Sequence, residues 1–278
     1  MIVDAHQHFW LIDRGVNGWI DDSISGIRRD YLPEHLEPYC RHLGIDQTIL
    51  VQASETLGEN GFMADLAAES GLVGGIVAWL DLTSTDAFRT LEDLSKSPII
   101  KGIRPVLQGI EDTNWVLQDS VMSCLKVLPA LGLRFDALIQ PRHLPVIAKL
   151  AEAVPDLDIV IDHAAKPVIQ GGRRPDADWY DGMRHVASHP HLHCKISGLA
   201  TEHGPGWTAT TMQPVVDHLL DTFSPARLMW GSDWPVLELD GSYVQWFTCL
   251  QSMLSGCSAS EKADVLGNTA ARFYGLAQ

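Results

Sequence analysis

Short apolar runs alternate with amphipathic segments along this chain in an order that few folds allow. Eight runs consist mostly of consecutive Val, Ile and Leu residues, a pattern typical of parallel strands that are covered on both faces. They occupy residues 2–4, 47–51, 75–80, 99–103, 133–139, 158–161, 192–196 and 227–230. The segments between and after these runs are predicted helices, at residues 33–43, 61–70, 85–94, 120–131, 145–153, 179–188, 211–223 and 258–274. This alternation predicts an α/β fold, a (β/α)8 TIM barrel, with a doubly wound open sheet as the alternative.

Composition limits the domain count and the class of partner. No Pro-, Gly- or Ser-rich linker divides the chain, so we expect residues 1–278 to form a single domain. Lys and Arg number 20 against 35 Asp and Glu, giving a net charge of -15. Nucleic acids and membrane surfaces are bound through basic side chains, so we expect neither as a partner.

Location is suggested by what the sequence lacks. No apolar run reaches the roughly 18 residues of a membrane span. The first residues also lack the basic segment and following apolar segment of a secretory signal peptide. We therefore expect a cytoplasmic protein. The five cysteines are scattered and form no C-x-x-C pair, which predicts reduced thiols rather than disulfides or a zinc knuckle.

Two segments interrupt the strand–helix alternation. Residues 11–30 form a long insert rich in Gly, Asp and Trp, and residues 170–178 include Gly171-Gly172-Arg173-Arg174-Pro175. Each follows a strand that ends near a histidine. Loops after the strands build the active-site face of a barrel, so both inserts are candidate lids or substrate walls.

Polar side chains follow nearly every predicted strand. His6 and His8 are two residues apart after the first strand, and this spacing places both imidazoles on one face with Gln7 opposite. Other strands end near Gln52, Trp79, Asp81, Arg104, Gln140, His163, Lys195, Ser197 and Asp233. In a barrel these positions converge, which predicts a catalytic centre rather than isolated polar residues.

Four of these residues have the chemistry of a metal site. His6, His8, His163 and Asp233 offer nitrogen and carboxylate ligands for one divalent ion, zinc first among them. The same set also works without metal: Asp233 takes a proton from water, while the histidines and Lys195 donate to the electrophilic oxygen. Structural histidines and a turn-forming aspartate are the competing interpretation.

Further residues are candidates for substrate binding. Arg104 suits a carboxylate or polyol oxygen, and Gln52 can bind hydroxyl groups. Asp136 lies inside an apolar strand, where it can face the substrate or pair with Lys195 or Arg104. The tryptophans that lie at or just after strand ends, and so can line the substrate site, are Trp10, Trp79 and Trp234.

These motifs together resemble a known family. The chain resembles the amidohydrolase-2 group of the amidohydrolase superfamily, and within it the sugar-lactone hydrolases such as L-fuconolactonase and L-rhamnono-lactonase. The similarity covers nearly the whole chain. The segments that carry it are residues 3–10, 101–104, 161–167, 194–199, 231–235 and 267–274.

The resemblance implies a distorted (β/α)8 barrel that hydrolyses a cyclic ester, with Asp233 as general base. Other branches bind metal through the first-strand histidines, a histidine after strand five and the last aspartate. Here Gln140 stands at the end of strand five, with His143 three residues on. We therefore expect either no required cofactor or one divalent metal ion.

The expected substrate is a small sugar lactone, opened by attack of water. The first alternative is a metal-dependent decarboxylase or a lactonase that acts on an aromatic or muconate-type acid. A non-catalytic sugar- or metal-binding protein is the second. The sequence leaves the oligomeric state open, with a homodimer as one outcome.

Overall fold

The computed structural model describes residues 1–277, and its eight strands form one parallel sheet in sequence order. A doubly wound sheet would reverse its strand order midway, so this order confirms the barrel and excludes that alternative. The strands are β1 (Val3–Gln7), β2 (Gln47–Val51), β3 (Val73–Ala78), β4 (Ile100–Ile103), β5 (Arg134–Ala137), β6 (Ile159–Ile161), β7 (Leu192–Ile196) and β8 (Leu228–Trp230).

The barrel closes irregularly between its last and first strands. Just beyond β8, the Asp233 amide donates to the carbonyl of His6 at 2.8 Å, and the His8 amide donates to the carbonyl of Trp234 at 2.8 Å. These bonds replace a regular ladder at the closure. They also place Asp233 directly beside the histidines that end β1.

Helices cover the outside of the sheet, and two of them are not among the predicted segments. They are α1 (Pro33–Leu43), α2 (Leu57–Glu69), α3 (Ala87–Ser95), α4 (Asp119–Val127), α5 (Leu144–Ala153), α6 (Ala177–Ala187), α7 (Leu199–His203), α8 (Ala209–Phe223), α9 (Tyr243–Met253), α10 (Ala259–Ala263) and α11 (Thr269–Tyr274). The unpredicted ones are α7, which has only five residues, and α9, whose aromatic and β-branched residues favour strands. No helix among residues 1–277 is long and apolar enough to cross a membrane.

The predicted helix at residues 258–274 is divided by a π-helical turn at Asp264–Asn268. A side chain at Gly267 would collide with the carbonyl oxygen of Met1, so this turn requires glycine. The division lets α11 lie under the barrel. Its residues Phe273 and Tyr274 join an apolar cluster with Val3 and other inward-facing strand residues.

Strand β1 contains one extra residue. Asp4 pairs with Thr48 and Gln7 with Leu50, so three steps along β1 match two steps along β2. Val3 and Ala5 both belong to the inward-facing apolar cluster. Regular alternation from these two residues would point His6 and His8 outward. The irregularity shifts the phase of the strand, as a β-bulge does, and turns both imidazoles inward.

Candidate active site

A cavity of about 550 Å³ opens at the carboxyl ends of the strands. Its wall includes residues from the ends of several strands, among them His8, Gln52, Arg104, His163 and Asp233. The insert at residues 11–30 adds Val16, Gly18, Trp19 and Ile24, which agrees with its predicted place in the substrate wall. The remaining lining residues are Ala53, Ser54, Glu55, Thr56, Val106, Gln108, Leu138, Lys166, Thr201, Glu202, Val236 and Leu239.

The imidazole of His8 has a defined orientation. Its Nδ1 lies 2.8 Å from the carbonyl oxygen of Val51, which can only accept, so Nδ1 carries the proton. The Nε2 atom of the neutral ring then holds a lone pair. It lies 3.2 Å from His6 Nε2 and 3.4 Å from Asp233 Oδ1. This geometry corrects the expectation that neutral His8 donates to a substrate oxygen: it suits a metal ligand or a proton acceptor.

The second imidazole of the pair, His6, has a partner in either tautomer. Its Nδ1 lies 3.3 Å from the ammonium of Lys195 and 3.3 Å from Asp162 Oδ1. When Lys195 donates to Nδ1, the proton sits on Nε2 and faces the lone pair of His8. When Nδ1–H faces Asp162 instead, Nε2 offers a lone pair to a cation. The surroundings of His6 therefore accommodate a site with or without a metal ion.

His163 and Asp233 follow β6 and β8 in left-handed backbone conformations, with φ of 53° and 58°. The His163 ring is held by a contact of 2.9 Å between Nδ1 and Ser197 Oγ. A Cβ at Gly198 would lie 2.6 Å from His163 Nδ1, so the imidazole occupies the space that glycine leaves. Nε2 of His163 lies 3.8 Å from Asp233 Oδ1. Non-glycine residues in this conformation concentrate at functional sites.

Burial and neighbouring charges set the protonation states of this cluster. Burial opposes ionisation of Asp233, but the histidines around it, His163 first among them, hold the pKa of Asp233 below its ordinary value. Burial lowers the pKa of His163 to about 4, against the opposing effect of Asp233. Burial also takes the pKa of His6 well below its ordinary value. Near neutral pH the carboxylate of Asp233 therefore lies beside the neutral imidazoles of His6 and His163.

Arg104 supplies a permanent positive charge in the cavity wall. Its Nη2 donates to the carbonyl of Gln52 at 2.6 Å, and Gln52 Nε2 donates back to the carbonyl of Arg104 at 3.1 Å. Nη1 lies 3.4 Å from both Asp162 Oδ2 and His6 Nε2. Both Arg104 and Gln52 line the cavity, where we had placed them. Their mutual bonds fix the guanidinium beside the histidine cluster.

Lys195 and Asp136, in contrast, are sealed beneath the cavity. Lys195 Nζ lies 2.5 Å from Asp136 Oδ2 and 3.0 Å from Asp162 Oδ1. Tyr274 donates to Asp136 Oδ2 at 2.6 Å. All these side chains are fully buried, and Lys195 and Asp136 are not among the residues that line the cavity. Our expectation that both residues contact the substrate directly is therefore wrong. Lys195 contacts His6, and His6 in turn contacts His8 in the cavity wall.

The three tryptophans we expected at the substrate lie elsewhere. Trp10 is fully buried and donates from Nε1 to the carbonyl of Arg29 at 2.8 Å. Trp234 is 1% exposed, and its Nε1 bonds Glu238 Oε1 at 2.9 Å. Trp79 is held by Asn60 through its backbone and does not line the cavity. Trp19 takes their place: it is 42% exposed and lies in the wall.

Four charged residues were missed as part of the site: Asp162, Lys166, Glu202 and Glu55, the last of which lines the cavity. Asp162 directly precedes His163 in sequence, yet it faces Lys195, His6 and Arg104 in the barrel interior. Burial opposes its ionisation, but Lys195, His6 and Arg104 hold the pKa of Asp162 well below its ordinary value. Lys166 and Glu202 form a 3.1 Å ion pair in the cavity wall. The position of Asp162 at a strand end was the available signal.

The donor set fits a divalent metal ion. The distances among His6 Nε2, His8 Nε2 and Asp233 Oδ1 are 3.2, 3.4 and 3.7 Å. Tetrahedral ligands at the usual zinc bond lengths are separated by about 3.3 Å, so these three atoms can share one ion. The guanidinium of Arg104 lies 3.4 Å from the same His6 atom and competes for its lone pair.

Comparison with known proteins adds to this geometry. The amidohydrolase family model matches residues 3–276. An L-fucono-1,5-lactonase of Burkholderia ambifaria is 39% identical over 98% of this chain and 94% of its own. An L-fucono-1,5-lactonase of Burkholderia multivorans is 32% identical over 99% of this chain and 96% of its own. A crystal structure of an amidohydrolase from Burkholderia multivorans with bound zinc superposes with a TM-score of 0.93 at 31% identity, covering 100% of both chains.

Proposed function

The chain belongs to the amidohydrolase family, and we propose that it is a hydrolase that opens a sugar lactone. The observation that carries this proposal is the ionised Asp233 beside the neutral imidazoles of His6 and His163, with the Arg104 guanidinium in contact with His6. That arrangement pairs a proton acceptor for water with a cation for the developing oxyanion. The likeness to two Burkholderia L-fucono-1,5-lactonases supports the substrate class.

Charge in the cavity separates this function from its main alternative. The wall carries three carboxylates, those of Asp233, Glu55 and Glu202, against the cations Arg104 and Lys166. Each cation already pairs with a carboxylate, since Arg104 faces Asp162 and Lys166 faces Glu202. A substrate with one or more carboxylates would meet net negative charge here. A neutral ring with many hydroxyl groups meets suitable donors and acceptors, which favours a sugar lactone over an aromatic or muconate-type acid.

In the proposed reaction a water molecule attacks the lactone carbonyl carbon while Asp233 takes one of its protons. Arg104 stabilises the negative charge that develops on the carbonyl oxygen. The ring C–O bond then breaks, and Asp233 returns the proton to the departing ring oxygen. The products are a hydroxyl group and a carboxylic acid, which ionises and releases one proton per turnover.

Lys195 acts on this reaction as a positioning residue. Its ammonium contacts His6 Nδ1 at 3.3 Å and two carboxylates, and it does not reach the cavity. By donating to Nδ1 it fixes the tautomer of His6, which in turn orients the proton between His6 and His8. Gln52, bound to Arg104, orients the guanidinium in the same way.

A bound divalent metal ion is compatible with this site and is proposed as optional. His6, His8 and Asp233 would hold it, with His163 as the further ligand that the sequence predicts, and it would supply Lewis-acid polarisation of the lactone carbonyl. Zinc is the first candidate, because imidazole and carboxylate ligands suit it and a similar amidohydrolase structure contains zinc. No protein ligand comes from the end of β5: the ring of His143 faces the backbone of Gln140, at 3.1 Å, and His143 does not line the cavity.

The remaining expectations belong to the same proposal. We place the activity in a single amidohydrolase-type domain spanning residues 1–278, in the cytoplasm, without a nucleic-acid or membrane partner. The net charge of -15 supports the exclusion of nucleic acid. A homodimer remains an alternative to a monomer, to be decided by sedimentation.

The test is a proton-release screen against a panel of aldonolactones of five- and six-membered ring size, with and without chelator. We expect a hit for the wild type, none for Asp233→Asn, and full activity for Asp156→Asn, an exposed aspartate outside the cavity. Parallel assays with dihydroxybenzoates and a pyrone dicarboxylate measure the alternative. Turnover of those acids, with no response to any aldonolactone, would contradict the proposal.

A further inference from the structure

A second group of metal-ligating side chains lies on the outer surface, where α5 and α6 meet. His185 is in the last turns of α6, and His189 follows one turn later, so the two imidazoles share a face. Glu152 is in the last turn of α5. One ligand atom from each of the three lies within 4.8 Å of the other two. We call Glu152, His185 and His189 the surface triad.

One member of the surface triad has an unused ligand atom. Within residues 1–277, Nε2 of His189 is buried and has no hydrogen-bond partner. The backbone of His189 is fixed, because its carbonyl accepts from Arg227 Nη1 at 3.0 Å and from the Leu192 amide at 3.1 Å. A buried imidazole nitrogen normally finds a partner, so this atom calls for an explanation. A bound cation would explain both this unpartnered nitrogen and the nearby ligand atoms of Glu152 and His185.

The local electrostatics favour a cation. Both α5 and α6 end at this point, and helix carboxyl termini carry partial negative charge from their last carbonyl groups. Glu152 adds a full negative charge. The carboxylates of Asp156 and Asp158 lie near the adjacent His191 at the same end of the two helices. These groups together attract a divalent ion.

We propose that the surface triad binds one divalent transition-metal ion, of the zinc class, and so links α5 to α6. Two imidazole nitrogens and one carboxylate oxygen suit such an ion, with solvent completing the coordination. The site is on the outer helices, and none of its three residues lines the cavity at the strand ends. It is independent of the proposed lactonase activity.

Equilibrium dialysis against zinc tests the proposal, with the wild type and Asp233→Asn measured in parallel to account for the cavity. We expect His185→Gln to lose one equivalent of bound zinc in both backgrounds. Glu152→Gln should lower the zinc affinity of this site by at least about tenfold. That is the smallest loss typical for residues that only support a metal ligand, and Glu152 is proposed as a ligand itself. His42→Gln is the matched control, since His42 is a lone exposed histidine in the last turn of α1.

Thermal denaturation gives a second readout that does not depend on activity. Zinc should raise the Tm of Asp233→Asn and of its His42→Gln derivative, and it should leave the Tm of the His185→Gln derivative unchanged. His185 is exposed, so this substitution does not disturb the core. Equal zinc binding and an equal Tm increment with and without His185 would overturn the proposal.

Discussion

The barrel interior holds two groups of ionisable residues that touch each other and behave differently. The cavity cluster comprises His6, His8, His163 and Asp233; the buried charge cluster comprises Asp136, Lys195, Asp162 and Tyr274. His6 joins them, with Nδ1 facing Lys195 and Asp162 and Nε2 facing His8 and Asp233.

The two clusters differ in where their charge is balanced. In the buried charge cluster, Lys195 lies between two carboxylates, and Tyr274 closes the lower side. Burial opposes the charge of Lys195, but Asp136 and Asp162 raise its pKa above the ordinary value, so it stays cationic. In the cavity cluster, Asp233 faces neutral rings and an open cavity. The structural charges of Lys195, Asp136 and Asp162 are therefore paired and fully buried, whereas the carboxylate of Asp233 lies at the cavity where a substrate would bind.

The largest effect should come from the exposed charge. Asp233→Asn keeps the shape of the side chain and removes the proton acceptor, so we expect kcat to fall by roughly 10²–10⁴-fold. Stability should fall modestly, because the folded protein holds the pKa of Asp233 below its ordinary value and so favours the carboxylate. Proton release and thermal denaturation measure the two quantities. A variant that loses stability but keeps its turnover would show that Asp233 belongs with the structural charges.

Lys195→Met tests the sealed charge. It leaves Asp136 and Asp162 buried without their shared cation, and breaking such a group costs about 3–5 kcal/mol of unfolding free energy. We also expect lower kcat with little change in KM, since His6 loses its Nδ1 donor and the cavity wall is intact. Urea unfolding and steady-state kinetics provide the measurements. Lys195→Arg should recover part of the stability that Lys195→Met loses. A rise in KM with kcat unchanged would instead place Lys195 at the substrate.

The pH dependence of stability separates the clusters further. The pKa of His163 is lowered to about 4 in the folded protein, so between pH 6.5 and 4 the unfolded chain binds a proton at this residue that the folded chain does not. Stability should therefore fall over that window as pH decreases, by a few kcal/mol at most. His163→Gln should reduce the slope, measured with chelator present. An unchanged slope would mean that His163 is protonated in the folded state.

The smallest effect should come from Tyr274→Phe. This change removes the hydroxyl that donates to Asp136 Oδ2 at 2.6 Å, and a buried carboxylate that loses one donor costs about 1–3 kcal/mol. Lys195 still pairs with the same oxygen, so we expect kcat to change by less than about twofold. Chemical denaturation with parallel kinetics checks both values. A large fall in kcat would show that the buried charge cluster tunes catalysis directly.

Much of the fold followed from the sequence because parallel barrel strands are continuous apolar runs. β2 and β7 have the predicted bounds, and the other strands differ by a few residues at their ends. Helix α9 was missed since its aromatic residues suit strands in isolation, and only packing against the barrel decides otherwise. Hydrophobic periodicity indicates which face of a helix is buried, but α7 has only five residues and is too short to show a period.

The candidate site followed less completely. The convergence of His8, Arg104, His163 and Asp233 on one cavity was accessible, because strand ends in a barrel point to one face. The placement of Trp10 and Trp234 in the packed wall was not, since apolar aromatic residues near a site serve packing and binding equally well. The pairing of Lys195 with Asp162 depends on distances across the barrel that no local pattern contains.

The irregularity in β1 also affects how related sequences should be aligned. Because Asp4 to Gln7 spans the same distance as Thr48 to Leu50, a first strand one residue shorter can follow regular alternation and still direct both histidines inward. A gap opposite Ala5 in an alignment is therefore compatible with an intact pair of imidazoles. A gap between His6 and His8 would separate the two rings onto opposite faces and mark a protein that has lost this site.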